Sequence, residues 1–359
     1  MSSPLFISGP SRRRARQAAR RRRRRRLTAL VLTALVIAVL LVTLGVGSTG
    51  KHSSADHPRR APSARVVQPH PALSPIGLPL GKPALELSGI GDASQDPVHE
   101  AFVTPPSAGI LFNLATGRVL WQRNPYKRLR IASLTKMMTA LITVQSAPPN
   151  APVLITRAAV DMPGSKVGVL PLGRHVPLES LLYGLLLPSG NDAAVALAEH
   201  VAGSIGQFVT RMNQEAARLG LGCTHYSSPS GYYNRYNFSC AANLAVLAHD
   251  DLAQPRIAQV TRTYTAVLPF PIKGGKLYLY NNNPLLIYGY PGLTGLKTGY
   301  TEAAGRCLVA TATRHGVSLG VVLLHSPDPG TQAAYLLNRG FEGVYHQRPV
   351  PEPPIPPGV

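Results

Sequence analysis

The stretch Ile131-Ala-Ser-Leu-Thr-Lys-Met-Met-Thr139 carries the strongest signal in this sequence of 359 residues. Within it, Ser133 and Lys136 are three residues apart. On a helix that spacing places both side chains on one face, with about 5 to 6 Å between their Cβ atoms. A lysine there can take the serine proton if burial or a nearby cation lowers the pKa of its amine. The pair therefore predicts a serine nucleophile with a lysine as its base.

A serine and a lysine at this spacing are not specific by themselves, because Ser48-Thr-Gly-Lys51 repeats the pattern. Two further motifs make the interpretation specific. Ser189-Gly-Asn191 begins 56 residues after Ser133, and Lys297-Thr-Gly299 begins a further 108 residues along the chain. Three such motifs in this order are typical of serine enzymes that react with penicillins. We therefore expect these distant segments to meet in one site.

The second motif places a hydroxyl and an amide just after a predicted helix. Ser189 is expected to relay a proton to the leaving amine, and Asn191 to form hydrogen bonds with a peptide backbone or with Lys136. Asn191 also begins a helix-like pattern, so a helix-capping role stays open beside the catalytic one.

The third motif lies on a predicted strand. Lys297 and Thr298 are expected to bind a carboxylate. Gly299 is expected to leave room for a substrate that lies antiparallel to the strand. The ammonium of Lys297 is also expected to lower the pKa of Lys136.

With these motifs, residues 108–343 resemble the D-alanyl-D-alanine carboxypeptidases, the low-molecular-mass penicillin-binding proteins. The resemblance implies a β-lactamase-like or transpeptidase-like fold, an acyl-enzyme on Ser133, and an oxyanion hole made by the backbone N–H groups of Ser133 and Tyr300. It implies peptidoglycan stem peptides ending in D-Ala-D-Ala as substrates and β-lactams as covalent inhibitors. The matching segments are Ile131–Thr139, Pro188–Ala194, Met212–Gly220, Ser228–Gly231 and Gly292–Thr301.

The sequence departs from that family at one position that concerns the substrate. Members commonly carry an arginine at the start of the closing helix, where counting from Lys297 leads to Gln332. Carboxylate binding is therefore expected to depend on Lys297, Thr298 and bound water. Many members also carry a further β-rich domain and a carboxyl-terminal anchor, and we expect an amino-terminal span to replace that anchor here.

Residues 107–347 form one block of mixed periodicity. A hairpin is predicted at 108–114 and 118–122, and strands return at 293–298, 307–313 and 318–324. This order predicts an α/β (α+β) fold, with an antiparallel sheet flanked by helices around an inserted helical lobe. Helices are predicted at 134–145, 178–187, 192–201, 205–219, 241–252 and 331–344.

The amino end has the pattern of a membrane anchor. Residues 27–46 contain no charge and no proline, and twenty residues at 1.5 Å each span about 30 Å of hydrocarbon. Eleven of the residues from 12 to 26 are arginines, which keep a basic tail, 1–26, on the cytoplasmic side. We therefore expect a single-pass protein of the bacterial cytoplasmic membrane with an extracytoplasmic catalytic domain. A cleaved signal peptide is the less favoured alternative.

The net charge of +21 suggests anionic neighbours such as lipid, cell-wall polymer or nucleic acid. We expect no nucleic acid as a partner, because no aromatic residue interrupts the arginines to stack on bases. Residues 47–106 are predicted to be a proline-rich linker, and residues 348–359 a proline-rich tail.

The three cysteines, Cys223, Cys240 and Cys307, lack the spacing of metal ligands, so we expect neither a metal nor another cofactor. The first two flank a short loop, and both a disulfide and two separate buried thiols stay open for them. Cys307 lies in an apolar pattern and is expected in the core.

Several functions are compatible with these motifs. The favoured one is a membrane-tethered serine D-Ala-D-Ala carboxypeptidase. A β-lactamase ranks lower, because Ser189-Gly-Asn191 lacks the usual central aspartate and no glutamate obviously supplies a deacylating base. A peptidoglycan D,D-endopeptidase uses similar chemistry. A wall-binding module without turnover is the alternative from another class.

Overall fold

A computed structural model of the chain describes residues 73–232, 236–351 and 354–356. The predicted basic tail, the predicted transmembrane segment and the first part of the predicted linker lie outside these residues. Within the described ranges, no helix is both long enough and apolar enough to cross a membrane.

The strands of the described residues are β1 (Ala108–Asn113), β2 (Val119–Arg123), β3 (Leu129–Arg130), β4 (Pro152–Leu154), β5 (His175–Pro177), β6 (Phe238–Ser239), β7 (Thr265–Pro269), β8 (Lys276–Tyr280), β9 (Leu293–Thr301), β10 (Gly305–Arg314) and β11 (Val317–Ser326). The α-helices are α1 (Thr135–Ser146), α2 (Arg157–Asp161), α3 (Leu178–Leu186), α4 (Asn191–Ala202), α5 (Ile205–Arg218), α6 (Ala241–Leu252), α7 (Pro255–Thr261), α8 (Pro284–Ile287) and α9 (Pro329–Asn338). Two 3₁₀ turns, Ala93–Gln95 and Ala132–Leu134, and a π-helix, Arg339–Val344, complete the described elements.

The central sheet joins the two ends of the domain. Its order is β2-β1-β11-β10-β9, and every neighbouring pair is antiparallel. In the first strand Ala108 pairs with Leu324 of β11, so β11 inserts between the opening hairpin and the other late strands. The predicted antiparallel sheet with a helical insertion is therefore confirmed, and β9, which carries the third motif, forms one edge of the sheet.

Both faces of the sheet are covered by apolar side chains, because residues on a strand alternate between the faces. Ile110 and Val309 pack into the larger cluster, which they share with the helical lobe. Leu111 and Leu308, each one position away, pack into a second cluster with α9. The sheet is thus a middle layer, with the inserted lobe on one side and the closing helix on the other.

Most predicted helices and strands are found within a few residues of their expected limits. The closing helix begins earlier than expected, at Pro329, because Asp328 caps it by accepting a hydrogen bond from the Thr331 N–H. A proline at the first helical position needs no N–H partner. The last six residues of the predicted helix, Arg339–Val344, form the π-helix instead.

The predicted linker differs from the structure in part of its length. Leu85 and Val98 are buried, and the Val98 N–H donates to the Leu120 carbonyl. Asp96 is also buried and accepts hydrogen bonds from the backbone and side chain of Gln122. Part of the predicted linker, 47–106, is therefore packed against the domain, because this segment uses an existing surface and needs no core of its own.

The structure also decides the two alternatives for the cysteine pair. Cys223 and Cys240 form a disulfide that closes a loop in front of α6. Cys307 is a free, buried thiol, as expected for a residue of the core.

Candidate active site

Ser133 lies on the 3₁₀ turn Ala132–Leu134, directly before α1. Ala132 has a φ of 48°, in the left-handed region that non-glycine residues rarely adopt. This backbone turn brings the half-buried Ser133 against the edge strand β9. Lys136 follows in the first turn of α1, so the expected side-by-side placement of the two side chains is observed.

Lys136 is fully buried and makes three contacts through its Nζ. It lies 2.8 Å from Ser133 Oγ, 2.7 Å from Asn191 Oδ1 and 2.8 Å from the Ser230 carbonyl oxygen. The amide and carbonyl oxygens can only accept hydrogen bonds. In the neutral amine, whose two N–H groups serve those oxygens, the nitrogen lone pair is therefore left for the Ser133 hydroxyl.

The surroundings of Lys136 favour that neutral form. Burial holds the pKa of Lys136 well below its usual range, and the charge of Lys297 lowers it further, while Asp192 opposes the shift. Desolvation penalises the charged amine, and a second cation repels it. The lowered pKa of Lys136 thus favours the neutral amine, which is the form that can accept a proton from Ser133.

Asn191 is the first residue of α4, and its side chain is held on both sides. Its Oδ1 accepts from Lys136, and its Nδ2 donates to the Pro163 carbonyl at 2.8 Å. The helix is capped instead by Gly190, and Asn191 makes no capping hydrogen bond. The structure thus shows the expected contact of Asn191 with Lys136, and it shows no helix-capping hydrogen bond from the Asn191 side chain.

Asp192 fastens the loop beside Asn191. Its carboxylate accepts hydrogen bonds from the N–H groups of Val167 and Gly168, at 2.9 and 3.1 Å. The same loop contains Pro163, which holds the amide of Asn191. This buried carboxylate therefore positions Asn191 without touching Ser133 or Lys136.

Ser189 is buried, and its Oγ has no hydrogen-bond partner among the described residues. Its φ of 67° lies in the left-handed region, which costs an L-amino acid roughly 1 to 2 kcal/mol. An unpaired hydroxyl that lines the same cleft as Ser133 is suited to transferring a proton.

Lys297 lies on β9, almost completely buried, and its Nζ donates to the Thr298 carbonyl at 3.0 Å. Burial lowers the pKa of Lys297 to about 7. Its effect on the pKa of Lys136 agrees with the expected convergence of the two amines. Thr298 and Tyr300 line the cleft, and Tyr300 is 63% exposed.

The structure gives Gly299 a reason in addition to the expected one. A Cβ at this position would lie 3.0 Å from the Ile131 carbonyl oxygen and 3.1 Å from the Ser133 nitrogen. The glycine therefore lets β9 approach the turn that carries Ser133. The sequence-based account, in which the missing side chain makes room for substrate, did not anticipate this contact within the protein.

An open cleft of about 480 Å³ lies over these groups. It brings Ser133 and Ser189 together with the part of β9 that follows Lys297. Its described lining residues are Ser133, Ser165, Ser189, Asn282, Pro284, Thr298, Gly299, Tyr300, Arg306, Cys307, Leu308 and Pro329.

Gln332 does not line this cleft. It is buried on α9, where its Nε2 donates to the Thr104 carbonyl and its Oε1 accepts from Ser326 Oγ. Sequence reasoning also missed two groups of the site, the Ser230 carbonyl that contacts Lys136 and the cleft-lining Arg306. The Ser230 carbonyl belongs to a matching segment, Ser228–Gly231, but was given no role. Arg306 had no motif to mark it.

Comparison with known proteins gives consistent matches. A family model described as D-alanyl-D-alanine carboxypeptidase matches residues 97–328. The D-alanyl-D-alanine carboxypeptidase DacB2 of Mycobacterium tuberculosis is 36% identical over 245 residues, which cover 66% of this chain and 82% of DacB2. DacF of Bacillus subtilis, described in the same way, is 33% identical over 244 residues, or 67% of this chain and 61% of DacF.

Solved structures agree with these relatives. A D-alanyl-D-alanine carboxypeptidase from Mycobacterium tuberculosis has a TM-score of 0.64 and 31% identity, covering 72% of this chain and 97% of its own. The DD-transpeptidase of Streptomyces K15 has a TM-score of 0.63 and 31% identity, covering 68% of this chain and 99% of its own.

Proposed function

The chain belongs to the D-alanyl-D-alanine carboxypeptidase family of serine hydrolases, and on that premise we propose that it removes the terminal D-Ala from peptidoglycan stem peptides through an acyl-enzyme on Ser133. The observation that carries the proposal is the contact between Ser133 Oγ and the buried Nζ of Lys136, at 2.8 Å. A neutral amine at that distance is a general base for the hydroxyl.

In the first half of the reaction, Ser133 Oγ attacks the carbonyl carbon of the penultimate D-Ala while its proton passes to Lys136. The negative charge that develops on the carbonyl oxygen is stabilised by the backbone N–H groups of Ser133 and Tyr300. The carbon–nitrogen bond then breaks, and the departing amine of D-Ala receives a proton from Lys136, with Ser189 as the relay.

In the second half, water attacks the ester carbonyl of the acyl-enzyme. Lys136, neutral again, takes the proton of the water, and the proton returns to Ser133 Oγ when the carbon–oxygen bond to the enzyme breaks. Asn191 keeps Lys136 in place through both halves by its 2.7 Å contact.

The test combines an adduct with a product. Intact protein exposed to a penicillin should gain the mass of one inhibitor on Ser133, and a pentapeptide ending in D-Ala-D-Ala should release free D-Ala. Ser133→Ala should lose both signals, while Ser318→Ala, on β11 and not a cleft-lining residue, should keep them. The proposal is refuted if folded wild-type protein neither gains the penicillin adduct nor releases D-Ala.

A second candidate follows from the structural neighbour described as a DD-transpeptidase. An acyl-enzyme that reacts with an amine instead of water gives a transpeptidation product. Incubation of the peptide substrate with and without a glycine-containing amine acceptor, followed by mass spectrometry, separates hydrolysis from transfer. A persistent penicillin adduct argues against the β-lactamase alternative. Cleavage of isolated cross-linked muropeptides tests for endopeptidase action.

We also propose that residues 27–46 tether the catalytic domain outside the cytoplasmic membrane. The uncharged run and its preceding arginines support this orientation. The disulfide between Cys223 and Cys240 supports an oxidising compartment. The tether is tested by membrane fractionation of the full chain and of a chain without residues 27–46. Only the full chain should sediment with membranes and resist carbonate extraction.

A further inference from the structure

Arg306 is the one described cleft-lining residue whose side chain carries a permanent charge at neutral pH. It lies on β10 and is exposed to solvent. Its guanidinium forms no salt bridge with an acidic side chain of the described residues, and it lies over the Tyr300 ring, 5.9 Å from the ring centroid. A cleft-lining cation that has no acidic partner among the described residues indicates an anionic ligand group.

The strand register places this cation beside the hydroxyl of Thr298. Arg306 pairs with Tyr300, and Leu308, two residues further along β10, pairs with Thr298. Because side chains alternate between faces, Arg306, Tyr300 and Thr298 share one face, with diagonal neighbours about 7 to 8 Å apart. An arginine side chain spans that distance, so its guanidinium and the Thr298 hydroxyl can bind the same small anion.

Lys297 and Gln332 could also donate hydrogen bonds to an anion, but both are engaged in other contacts. Lys297 is 2% exposed, its Nζ donates to the Thr298 carbonyl, and its side chain does not line the cleft. Burial lowers its pKa to about 7, so its charge is partial at neutral pH.

Gln332 is neutral, and both ends of its amide are used by Thr104 and Ser326. The helix that carries it, α9, reaches the cleft through Pro329, its first residue. Arg306 therefore supplies the positive charge that α9 does not provide at this corner of the cleft.

We propose that Arg306 binds the terminal carboxylate of the substrate peptide, with the Thr298 hydroxyl as the second donor, and that it selects peptides with a free carboxyl end. This inference rests on the proposed function, and it deepens that function by naming the specificity-determining residue. Arginine is suited to the task because its planar guanidinium offers two parallel N–H donors to a carboxylate.

The test compares two peptides that differ only at the carboxyl end, an acyl-D-Ala-D-Ala with a free acid and the same peptide as its amide. Arg306→Gln should lower kcat/KM for the free acid by about 10- to 100-fold, the usual worth of hydrogen bonds to a charged group. For the amide it should change kcat/KM by no more than about 3-fold. Arg306→Lys keeps the charge but loses the paired donors, so its kcat/KM for the free acid should lie between the values of Arg306→Gln and wild type.

Arg118→Gln is the matched control, because it removes an exposed arginine from the turn between β1 and β2 and that residue does not line the cleft. It should leave the ratio of acid to amide unchanged. Equal losses of both peptides in Arg306→Gln, with unchanged thermal stability, would overturn the inference.

A binding measurement separates this inference from the proposed function. In a Ser133→Ala background, calorimetry with the two peptides should show that the free acid binds more tightly and that Arg306→Gln abolishes the difference. If the wild-type protein releases no D-Ala, the proposed function fails, while this binding difference still decides the role of Arg306. An acid that binds no better than the amide would refute that role.

Discussion

A Cβ placed on Gly299 would lie 3.1 Å from the backbone nitrogen of Ser133. Gly299 of the third motif thus packs closely against the turn that carries Ser133 of the first, although the two lie 166 positions apart in the sequence. The neighbours of that Cβ are backbone atoms of a tight turn, which cannot rotate away as a flexible side chain could.

Gly299→Ala is therefore expected to push β9 away from the turn that carries Ser133. We expect a loss of about 1 to 3 kcal/mol in the free energy of unfolding, the usual cost of overpacking, and at least about a 10-fold slower reaction with a penicillin. Gly206→Ala on α5 is the control, because nothing lies within 4 Å of its added Cβ. Equal acylation rates for Gly299→Ala and wild type would contradict the predicted displacement.

The pH dependence of acylation reports on the pair of buried lysines. The charge of Lys297 lowers the pKa of Lys136 in addition to burial. Lys297→Gln removes that charge, so the pKa of Lys136 should rise and less of it should be neutral at a given pH. The acidic limb of the acylation-rate profile should therefore move to higher pH. Lys276→Gln, on the exposed side of β8, should leave the limb in place.

Lys297 should also make stability depend on pH. Its pKa falls from 10.5 to about 7 on folding, so between these values the unfolded chain binds more protons than the folded chain. The free energy of unfolding should then rise with pH across that interval. Urea denaturation at pH 7 and at pH 9.5 measures this rise. In Lys297→Met the free energy of unfolding should rise less between the two pH values than in wild type. An equal rise in both proteins would disprove the attribution of this pH dependence to Lys297.

Asp192 holds Asn191 through a loop, so its loss should affect both stability and catalysis. Asp192→Ala leaves the N–H groups of Val167 and Gly168 without their acceptor. We expect a cost of about 1 to 3 kcal/mol in unfolding free energy and a slower penicillin acylation. The exposed Asp161→Ala serves as control, with a change near zero. Acylation at the wild-type rate would argue against the positioning role.

Reduction of the disulfide should weaken the active site as well as the fold. The loop between Cys223 and Cys240 contains Ser230, whose carbonyl accepts from Lys136. Cys223→Ser combined with Cys240→Ser should cost about 2 to 4 kcal/mol, the typical worth of a disulfide. Thermal denaturation and acylation rates measure the two effects. In the thermal denaturation only, Cys307→Ser, which removes a buried thiol outside any disulfide, separates loss of the bridge from loss of a cysteine.

The sequence predicted the elements and residues that have a local signature. Helices such as α6 follow from their apolar period, and the order of the three motifs indicated that Ser133, Lys136 and Lys297 meet. The predicted roles of these side chains stay predictions until they are tested chemically.

Other features depend on relations that the sequence does not display. The Ser230 carbonyl is a backbone atom, and every residue has one, so its residue type gives no hint of its contact with Lys136. Arg306 enters the cleft only through the register of β10 against β9. Leu85 and Val98 lie in a proline-rich segment without a sustained apolar period, and their burial follows from the surface that receives them.

The pairing of β1 with β11 has a consequence for how the protein is made. The partners Ala108 and Leu324 are separated by roughly 200 residues, so β1 leaves the ribosome long before the strand that completes its ladder. At typical synthesis rates of about 5 to 20 residues per second, that interval lasts on the order of 10 to 40 seconds. Until β11 has been made, one edge of β1 lacks its partner strand, and a strand edge with unpaired N–H and C=O groups favours aggregation.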